Sequence, residues 1–600
     1  MSTGDDILTQ QAGTGAAAEH GTGRTLSGGL ERIDGRLHGR LDLWTIIAAT
    51  VVAWIVRFDQ DDAYITYRIA RNFARGDGLV FVPGQRVEGY TNFLWTVLLS
   101  IPERFGWPVV GFGQVLALTS FVVAVVLAYR LSYRFLPTHG QRLLALLVLC
   151  TNMTFLAYGT SGMETMLQTA LLLGVANLLL PISGGAAQHW LHWASAGLLG
   201  ALALLTRLDS AVLVVAIAVV AAVSGVRTAT GPGGRSDQDR NQVITRAVGH
   251  VALAGFVGLV VLTPWLVWKS DYYGTITPNT YAAKAGAPLT ARLMYGLLYL
   301  IAFFLSYGVF LLFPRLRDTW RSRSSLGALA PAVALSVIWC GYICWVGADF
   351  MEFRFMVPII PYLAVIGAVV IDPITKWSRL LLISLLVISA LHRVAPSPII
   401  PVNSIAALDA AVQPDSQLGL GHDLARWFAT DDPSESPVLA TSTLGAISYG
   451  SDLHVVDMIG LTEPDIARNG IPAAHYYPGH VKMATIDQLL DAHVDVVLGT
   501  ALPAKPDPKR KTYDVRELIP TWPVVDLGEL PADARVIEIP YLGDRVLPAI
   551  ELQRNPVVDA AVQREGWRTF DIDRSCRGEE PDNILVKIVS FTNGTRTCAD

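Results

Sequence analysis

Long apolar runs separated by short polar stretches recur over the first two thirds of this 600-residue chain. A helix needs roughly 17–25 residues to cross a bilayer, so the shorter runs must borrow flanking residues. About eleven runs then qualify, and together they predict a polytopic α-helical membrane protein. The runs are 42–56, 109–131, 143–158, 163–182, 190–205, 208–226, 247–268, 293–313, 326–347, 356–371 and 379–392.

Three other segments complete the predicted organisation. The apolar stretch YTNFLWTVLLSIP at 90–102 is short and predicts an interfacial or re-entrant helix. Residues 1–40 are polar, without an apolar core or a cleavage site, and predict a disordered cytoplasmic tail. After a transmembrane domain at 41–394, short β-like runs alternate with helical patterns, which predicts a mixed α/β domain at 395–600.

The distribution of Arg and Lys predicts the orientation, because cytoplasmic loops of membrane proteins carry an excess of both. The basic residues fall in alternate loops if 90–102 is not a crossing, and counting it would invert every later loop. We therefore expect a multi-pass protein of a bacterial plasma membrane, with its N-terminus in the cytoplasm and residues 395–600 outside. The basic residues are Arg32, Arg36, Arg40, Arg130, Arg134, Arg142, Arg227, Arg235, Arg240, Arg246, Arg315, Arg317, Arg321, Arg323, Lys376 and Arg379.

Composition supports the membrane assignment and narrows the partners. The chain is 52% hydrophobic and 16% charged, with a mean hydropathy of +0.41, which soluble domains rarely reach. The net charge of −5 and the lack of a basic cluster do not favour nucleic acid. Of the five cysteines, Cys576 and Cys598 lie in the polar C-terminal part and are a candidate disulfide if that part is extracytoplasmic. No CxxC motif suggests zinc.

Polar residues at helix ends form five clusters, and all five fall on the predicted outer side. Ionisable groups at membrane depth are costly and usually line a functional cavity. Carboxylates and cations on one face suit a site where a base meets a bound phosphate. The clusters contain Asp59, Asp61, Asp62, Tyr64, Tyr67, Arg68, Glu88 and Asn92; Ser161 and Glu164; Arg207 and Asp209; Asn279, Thr280 and Lys284; Asp349, Glu352 and Arg354.

Each cluster also has a simpler structural interpretation. Adjacent acids after a membrane helix are most often solvated. Arg207 and Asp209 are a candidate ion pair that holds two helices together. Ser161 and Glu164 have the spacing of a helix N-cap and its N3 partner. The segment PNT at 278–280 is typical of a turn.

Taken in chain order, these stretches resemble one family. The segments DDAYITYRIARNFARGDGLVFVPGQRVEGYTNFLWT, GTSGMET, TRLD, PNTYAAK and GADFMEFRFMVPIIP are similar to GT-C glycosyltransferases related to the mycobacterial terminal β-(1→2)-arabinofuranosyltransferase. HVVDMIGLTEPDIAR and YPGHVK continue the resemblance, which covers roughly residues 42–490.

The resemblance implies a GT-C fold whose transmembrane domain, 41–394, is catalytic and acts at the outer face. It implies a polyprenyl-phosphate sugar as donor, such as decaprenylphosphoryl-arabinofuranose, and a growing cell-wall glycan as acceptor, such as arabinogalactan or lipoarabinomannan. A carboxylate would take the proton of the acceptor hydroxyl, and a cation would receive the departing phosphate.

Candidate roles follow from this chemistry. Asp62 and Asp61 are the candidate bases, and helical geometry turns neighbours by about 100°, so we expect one of them, Asp62, to face the site. The candidate phosphate-binding residues are Arg354, Lys284, Arg207, His480 and Lys482. The candidate sugar- or acceptor-binding residues are Glu88, Asn92, Glu164, Tyr64, Tyr67, Tyr90, Asn279, Asp209 and Asp349.

Several alternatives stay open at this point. The sugar could be mannose or aminoarabinose. A lipid or sugar transporter would also carry intramembrane charges, although transporters tend to show two related halves. An assembly protein would use its outer domain and keep the membrane part as an anchor. No cofactor is assigned, and Asp61, Asp62 and Asp349 are candidates for collecting a divalent cation.

Overall fold

The computed structural model describes residues 40–180, 189–229, 237–309, 323–371, 404–413, 416–499, 503–519, 529–541 and 543–574, and single positions between 380 and 388. The predicted tail, most of the last predicted crossing at 379–392 and the Cys576–Cys598 pair lie outside these residues. The predicted domain boundary at 394 lies outside them as well.

The described part of residues 40–371, called the helical region below, is mostly helical. Five of the described helices are long and apolar enough to cross a membrane, at Val109–Ser132, Ser210–Arg227, Asn241–Tyr273, Leu289–Ser306 and Leu329–Val346. Three shorter apolar helical stretches accompany them. The count of about eleven crossings stays a prediction.

The helices of this region are α1 (40–55), α2 (Asp61–Arg75), α3 (Phe93–Phe105), α4 (Val109–Ser132), α5 (His139–Thr151), α6 (Met153–Ala157), α7 (Thr165–Leu179), α8 (Trp190–Thr206), α9 (Ser210–Ala229), α10 (Asp237–Tyr273), α11 (Asn279–Lys284), α12 (Leu289–Ser306), α13 (Arg323–Val346) and α14 (Ile360–Val370). A 3₁₀ turn, Arg354–Ile359, leads into α14.

Small residues let these apolar helices approach closely, as is common where helices pack in membranes. A side chain at Gly197 in α8 would overlap the backbone of Ala254 in α10, and one at Gly296 in α12 would overlap the backbone of Cys344 in α13. The helices α4, α7, α8 and α10 pack in that order. Their shared core contains large buried rings such as Trp193.

Two predicted segments differ in detail from the structure. The run predicted at 143–158 is broken into α5 and α6, because the Asn152 side chain accepts a hydrogen bond from the Phe155 amide and starts a new helix. The short segment predicted at 90–102 is α3, which ends where Gly106 adopts a left-handed φ of 68°.

The described part of residues 404–574, called the sheet region below, contains a seven-stranded mixed sheet in the order β2-β1-β5-β8-β7-β9-β6, and a β3-β4 hairpin. The strands are β1 (Leu439–Thr441), β2 (Val455–Asp457), β3 (Ile471–Tyr477), β4 (His480–Met483), β5 (Val496–Gly499), β6 (Thr512–Asp514), β7 (Arg535–Tyr541), β8 (Arg545–Glu551) and β9 (Thr569–Asp573).

Strand β1 pairs in parallel with β2 and β5, and β7 pairs antiparallel with β8 from Arg535–Glu551 to Tyr541–Arg545. The helices of the sheet region are α15 (Ile405–Ala411), α16 (Gln417–Trp427), α17 (Gly445–Ser451), α18 (Pro464–Asn469), α19 (Ile486–Asp491), α20 (Val515–Leu518) and α21 (Pro556–Glu565).

Helix α2 connects the two regions. Its sequence begins with two acids, which suits the positive end of the helix dipole, and ends before Gly76 in a left-handed conformation. Ile65 and Ile69, one turn apart, are buried in the same core as Leu439 of β1 and Leu444 before α17. The helix that follows α1 is therefore packed into the sheet region as well as against α3.

Candidate active site

A polar cavity of about 110 Å³ lies where α2, the start of α7, the turn before α14, and α11 meet a loop of the sheet region. Its lining combines three carboxylates with three cations. The lining residues are Asp62, Ala63, Ile65, Thr66, Gly89, Tyr90, Thr91, Asn92, Gly162, Met163, Glu164, Arg207, Thr280, Lys284, Asp349, Phe350, Arg354, Phe355 and Leu461.

Asp62 lies in the first turn of α2 and lines the cavity. The surrounding protein displaces solvent and raises the pKa of its carboxyl to about 6, against the opposing effect of Lys284 and Arg354. Nearby Asp61 and Asp349 add to the rise in pKa. A carboxylate with this pKa accepts a proton readily near neutral pH.

Asp61 points elsewhere, although it is the next residue. Its two carboxylate oxygens accept hydrogen bonds from the backbone amides of Gly445 at 2.9 Å and Ala446 at 2.7 Å. These amides belong to the start of α17. Asp61 does not line the cavity, so of the two candidate bases only Asp62 does.

One carboxylate of the cavity lining holds two arginines. Glu164 Oε1 lies 2.9 Å from Arg207 Nη1 and 2.6 Å from Arg354 Nη2. Its other oxygen accepts a hydrogen bond from Asn92 at 3.0 Å. The predicted N-cap at Ser161 with Glu164 at N3 is wrong. Helix α7 begins at Thr165, and Glu164 is itself the residue before it, with ion pairs and no side-chain capping hydrogen bond.

Arg207 is held further by Asp209, through contacts of 2.7–3.1 Å that engage Nε and Nη2. Asp209 also accepts a hydrogen bond from Gln168 at 2.7 Å and does not line the cavity. The ion pair between Arg207 and Asp209 thus agrees with the simpler structural interpretation. It orients a guanidinium that does reach the cavity.

Lys284 differs from both arginines. It is exposed and lines the cavity from the last turn of α11. Among the described residues no carboxylate oxygen lies within 4.0 Å of its ammonium, whereas Arg207 and Arg354 are both paired. The ammonium nevertheless acts on Asp62, where it lowers the carboxyl pKa. Lys284 therefore keeps its hydrogen-bonding capacity for a bound anion.

A tight turn presents the third carboxylate, Asp349. Ala348 and Phe353, at either end of this turn, adopt left-handed φ angles of 68° and 48°, which side-chain-bearing residues rarely adopt. Asp349 Oδ2 is 3.9 Å from Arg354 Nη1. Such backbone conformations are typical of positions that the surrounding structure fixes for function.

The two residues of the hairpin β3-β4 that sequence predicted as phosphate ligands do not line the cavity. His480 packs edge-on against Phe350, with ring centroids 4.9 Å apart, and burial lowers the pKa of its imidazole to about 4. It is therefore neutral at pH 7. Lys482 donates to the carbonyl oxygens of Ala467 and Arg468 at the end of α18. Its ammonium is thus committed to a helix end.

The predicted sugar-binding residues divide in the same way. Asn92 and Tyr90 line the cavity, and the Tyr90 hydroxyl lies 3.2 Å from that of Tyr273. Glu88 is buried in an ion pair with Lys269 at 2.7 Å and does not line the cavity. Burial raises the pKa of the Glu88 carboxyl to about 7, against the effect of Lys269.

Three further predicted residues do not line the cavity and pack in the structure around it. The buried rings of Tyr64 and Tyr67 pack edge-on, 5.3 Å apart, and neither lines the cavity. The Asn279 side chain donates to the backbone carbonyls of Gly460 and Leu461, at 2.8 and 3.0 Å. It therefore joins α11 to the loop of the sheet region.

Sequence reasoning missed the contribution of that loop, residues 457–463. Leu461 lines the cavity, and the Asp457 carboxylate accepts hydrogen bonds from the amides of Ile459, Leu461 and Thr462. The sequence resemblance includes DMIGLTEPD at 457–465 but predicts no cavity residue there. An acid followed within five residues by Gly and Thr was the available signal for such a turn.

Thr66 and Phe350 also line the cavity and are not among the predicted site residues, whereas Thr280, which lines it too, belongs to one of the predicted polar clusters. Asp61, Asp62 and Asp349 do not converge as a cation site, because Asp61 binds the amides of α17. The described residues contain no group of three or more His, Cys, Asp or Glu side chains placed to hold a metal ion.

The chain is similar to a family of unknown function, to a curated protein and to solved structures. A domain of unknown function, DUF8728, matches residues 408–545. The terminal β-(1→2)-arabinofuranosyltransferase of Mycobacterium tuberculosis is 27% identical over 269 residues, which cover 41% of this chain and 39% of that protein. The chain thus matches about two fifths of the length of this curated relative.

The fold is similar to that of ArnT from Cupriavidus metallidurans. The crystal structure of ArnT bound to undecaprenyl phosphate superposes with a TM-score of 0.51 at 16% identity, covering 84% of this chain and 97% of ArnT. The apo structure of ArnT gives a TM-score of 0.50 at 15% identity, with the same coverage. The predicted resemblance to GT-C glycosyltransferases is confirmed. The similarity to the ArnT structures and the five long apolar helices support a membrane fold.

Proposed function

We propose that this protein is a GT-C glycosyltransferase that moves a sugar, D-arabinofuranose, from a polyprenyl-phosphate donor to a cell-wall polysaccharide. The observation that carries the proposal is the cavity in which the proton-accepting Asp62 shares one lining with the unpaired cation Lys284. Glycosyl transfer from a lipid phosphate needs both a base and an anion-binding group.

The proposed reaction replaces one bond at the anomeric carbon of the sugar by another. The acceptor hydroxyl oxygen forms a bond to the anomeric carbon, and the bond from that carbon to the phosphate oxygen breaks. The phosphate leaves with the bonding electron pair as a polyprenyl monophosphate. Asp62 takes the proton of the acceptor hydroxyl, and its charge also stabilises the oxocarbenium-like transition state.

The leaving phosphate would be received by Lys284 and Arg354. Charge-assisted hydrogen bonds to phosphate are strong, and preorganised cations stabilise charge that develops in the transition state. Arg354 is held by Glu164, which Arg207 also contacts. Arg207 therefore acts mainly by keeping the Glu164 carboxylate in place.

The sugar would occupy the part of the cavity next to Asn92, Tyr90 and Asp349, whose polar groups suit hydroxyl recognition. The choice of D-arabinofuranose rests on the relative that is named a terminal β-(1→2)-arabinofuranosyltransferase. Arabinogalactan or lipoarabinomannan as acceptor is the part of the proposal that follows from the family resemblance of the sequence. ArnT, whose fold this chain shares, binds undecaprenyl phosphate, which supports a lipid-phosphate donor.

The proposed orientation has the N-terminus in the cytoplasm and the cavity and the sheet region outside, as the positive-inside rule predicts. In this orientation the polyprenyl chain lies between helices in the outer leaflet. The acceptor glycan reaches the cavity from the side of the sheet region.

The test is an assay of purified protein with synthetic polyprenyl-phosphate sugars carrying arabinofuranose, mannose or aminoarabinose. We expect release of the lipid phosphate and a glycosylated acceptor from the arabinofuranosyl donor, and neither product with Asp62→Asn. Release from mannosyl or aminoarabinosyl donor alone would contradict the sugar assignment. Movement of intact donor across vesicles without cleavage would contradict the enzyme and favour a transporter.

A further inference from the structure

Helix α17 of the sheet region lies against α2, and a charged side chain of α2 binds its N-terminal end. The two carboxylate oxygens of Asp61 accept hydrogen bonds from the backbone amides of Gly445 and Ala446. Amides in the first turn of a helix have no partner inside their own helix. The contact is close, because a side chain at position 445 would overlap the backbone carbonyl of Asp61.

A second charged side chain of α2 binds the other end of α17. The buried Arg68 guanidinium donates to the carbonyl oxygens of Ser448 and Leu453, the latter at 2.7 Å. It also donates to the Phe81 carbonyl at 3.1 Å, and its head lies 4.8 Å from the Phe81 ring centroid. No carboxylate oxygen of the described residues lies within 4.0 Å of Arg68, so backbone carbonyls satisfy this cation.

The spacing and the signs of these charges match the helix that they hold. Residues seven apart lie on one face of a helix and are separated by about 10 Å, which is also the length of seven-residue α17. The anion Asp61 meets the positive end of the α17 dipole and the cation Arg68 meets its negative end. The pair forms a clasp that fixes α2 both along and around its axis.

We propose that Asp61 and Arg68 are positioning residues that hold Asp62 toward the cavity by clasping α17. Neighbouring helix positions point about 100° apart, so binding Asp61 to α17 sets the direction of Asp62. The inference rests on the proposed role of Asp62 as the base. The inference adds that the sheet region, through α17, helps to orient the proposed base.

The kinetic test compares Asp61→Asn, which weakens the clasp from α2, with Gly445→Ala, which displaces α17 without changing a charge. We expect kcat to fall about tenfold to a hundredfold in both, since a base displaced by about 1 Å loses this much. The donor KM should stay within about twofold, because the phosphate-binding cations are untouched. Gly111→Ala, at a position with open space around it, is the control and should match the wild type.

A second measurement does not depend on transfer activity. Hydrogen exchange of the α17 amides should be faster in Asp61→Asn than in the wild type, while strands β7 and β8 stay protected. Faster exchange in α17 with unchanged kcat would overturn the positioning role, and unchanged exchange would overturn the clasp. If the wild type transfers none of the tested sugars, the proposed function fails, whereas the exchange result still decides the clasp.

Discussion

The cavity wall and the contact between the helical and sheet regions are built from the same short polar stretches. In the first stretch Asp62 lines the cavity, whereas Asp61 and Arg68 bind α17. The residues of the two groups alternate along one helix. Chain position therefore does not separate the site from its support.

The turn before α14 repeats this division. Asp349 and Arg354 line the cavity, whereas Glu352, between them, accepts a hydrogen bond from the Ile405 amide at 2.7 Å. The partners distinguish the two groups. Asp61 and Glu352, the docking carboxylates, accept hydrogen bonds from backbone amides of the sheet region. The cavity carboxylates Asp62, Glu164 and Asp349 lie near cations. A polar cluster at one membrane face thus marks a site and a domain contact together.

Asp62→Asn and Asp61→Asn, measured side by side, test whether the cavity carboxylate and the carboxylate that binds α17 have different roles. We expect Asp62→Asn to lower kcat by about 10²–10⁴-fold, which is the usual contribution of a general base, and Asp61→Asn to have a smaller effect. Turnover of a polyprenyl-phosphate donor is measured for protein that accumulates equally in membranes. Equal losses in the two variants would remove the distinction between cavity and docking carboxylates.

The next largest effect is expected for Glu164→Gln. Glu164 is buried between Arg207 and Arg354, so the substitution leaves two guanidiniums around a neutral amide. Breaking a buried ion pair costs about 3–5 kcal/mol. Denaturant unfolding of the detergent-purified protein should show this loss. A change below about 1 kcal/mol would mean that Glu164 does not hold the arginines.

Lys284→Gln tests the unpaired cation. We expect the donor KM to rise about tenfold or more, because hydrogen bonds to charged groups contribute about 1.5–3 kcal/mol, and stability should be unchanged for an exposed residue. Initial rates over a range of donor concentrations give both kinetic constants. An unchanged KM would assign the phosphate to the arginines alone.

The pH dependence follows from the raised pKa of Asp62. The base form of a carboxyl exists above its pKa, so kcat/KM should fall about tenfold per unit as the pH drops below about 6. Lys284 lowers this pKa, so Lys284→Gln should move the acidic limb of the profile to higher pH. A limb that stays near pH 4 in both proteins would exclude Asp62 as the titrating base.

The smallest effect is expected for Lys482→Gln. Its ammonium binds carbonyls at the end of α18 and not the cavity, so activity should change by less than about twofold. Stability should fall by about 0.3–1 kcal/mol, as for a cation at a helix C-terminus. Initial rates of transfer and denaturant unfolding measure the two effects. A large rise in donor KM would mean that Lys482 binds the donor phosphate.

The sequence was enough to predict the membrane fold, the GT-C resemblance and the stretches that supply the cavity. Apolar periodicity specifies long helices, and the cost of burying charge places polar residues at one face. The presence of Asp62 and Lys284 in one cavity lining could not be predicted, because it depends on how α2 and α11 meet in space. The predicted roles of individual residues, and the number of crossings, stay predictions.

Long-range partners explain the remaining differences. Nothing near Asp61 in sequence indicates that it caps a helix 384 residues away. The sequence predicts sugar binding for Glu88, whereas the structure pairs its carboxylate with Lys269, a single cation after an apolar run. Lys269 alone could have indicated this ion pair, since a charge at the end of a membrane helix needs a partner. Lys482 binds the carbonyl oxygens of Ala467 and Arg468, which have no partner inside the helix because α18 ends there.

The contact between Asp61 and Gly445 also has a consequence for the timing of biosynthesis. A ribosome adds roughly 5–20 residues per second, so the 384 residues between these partners take roughly 20–80 seconds to make. The helical region can enter the membrane during this interval with its cavity still open. Newly made chains should therefore remain inactive until the sheet region has folded onto α2.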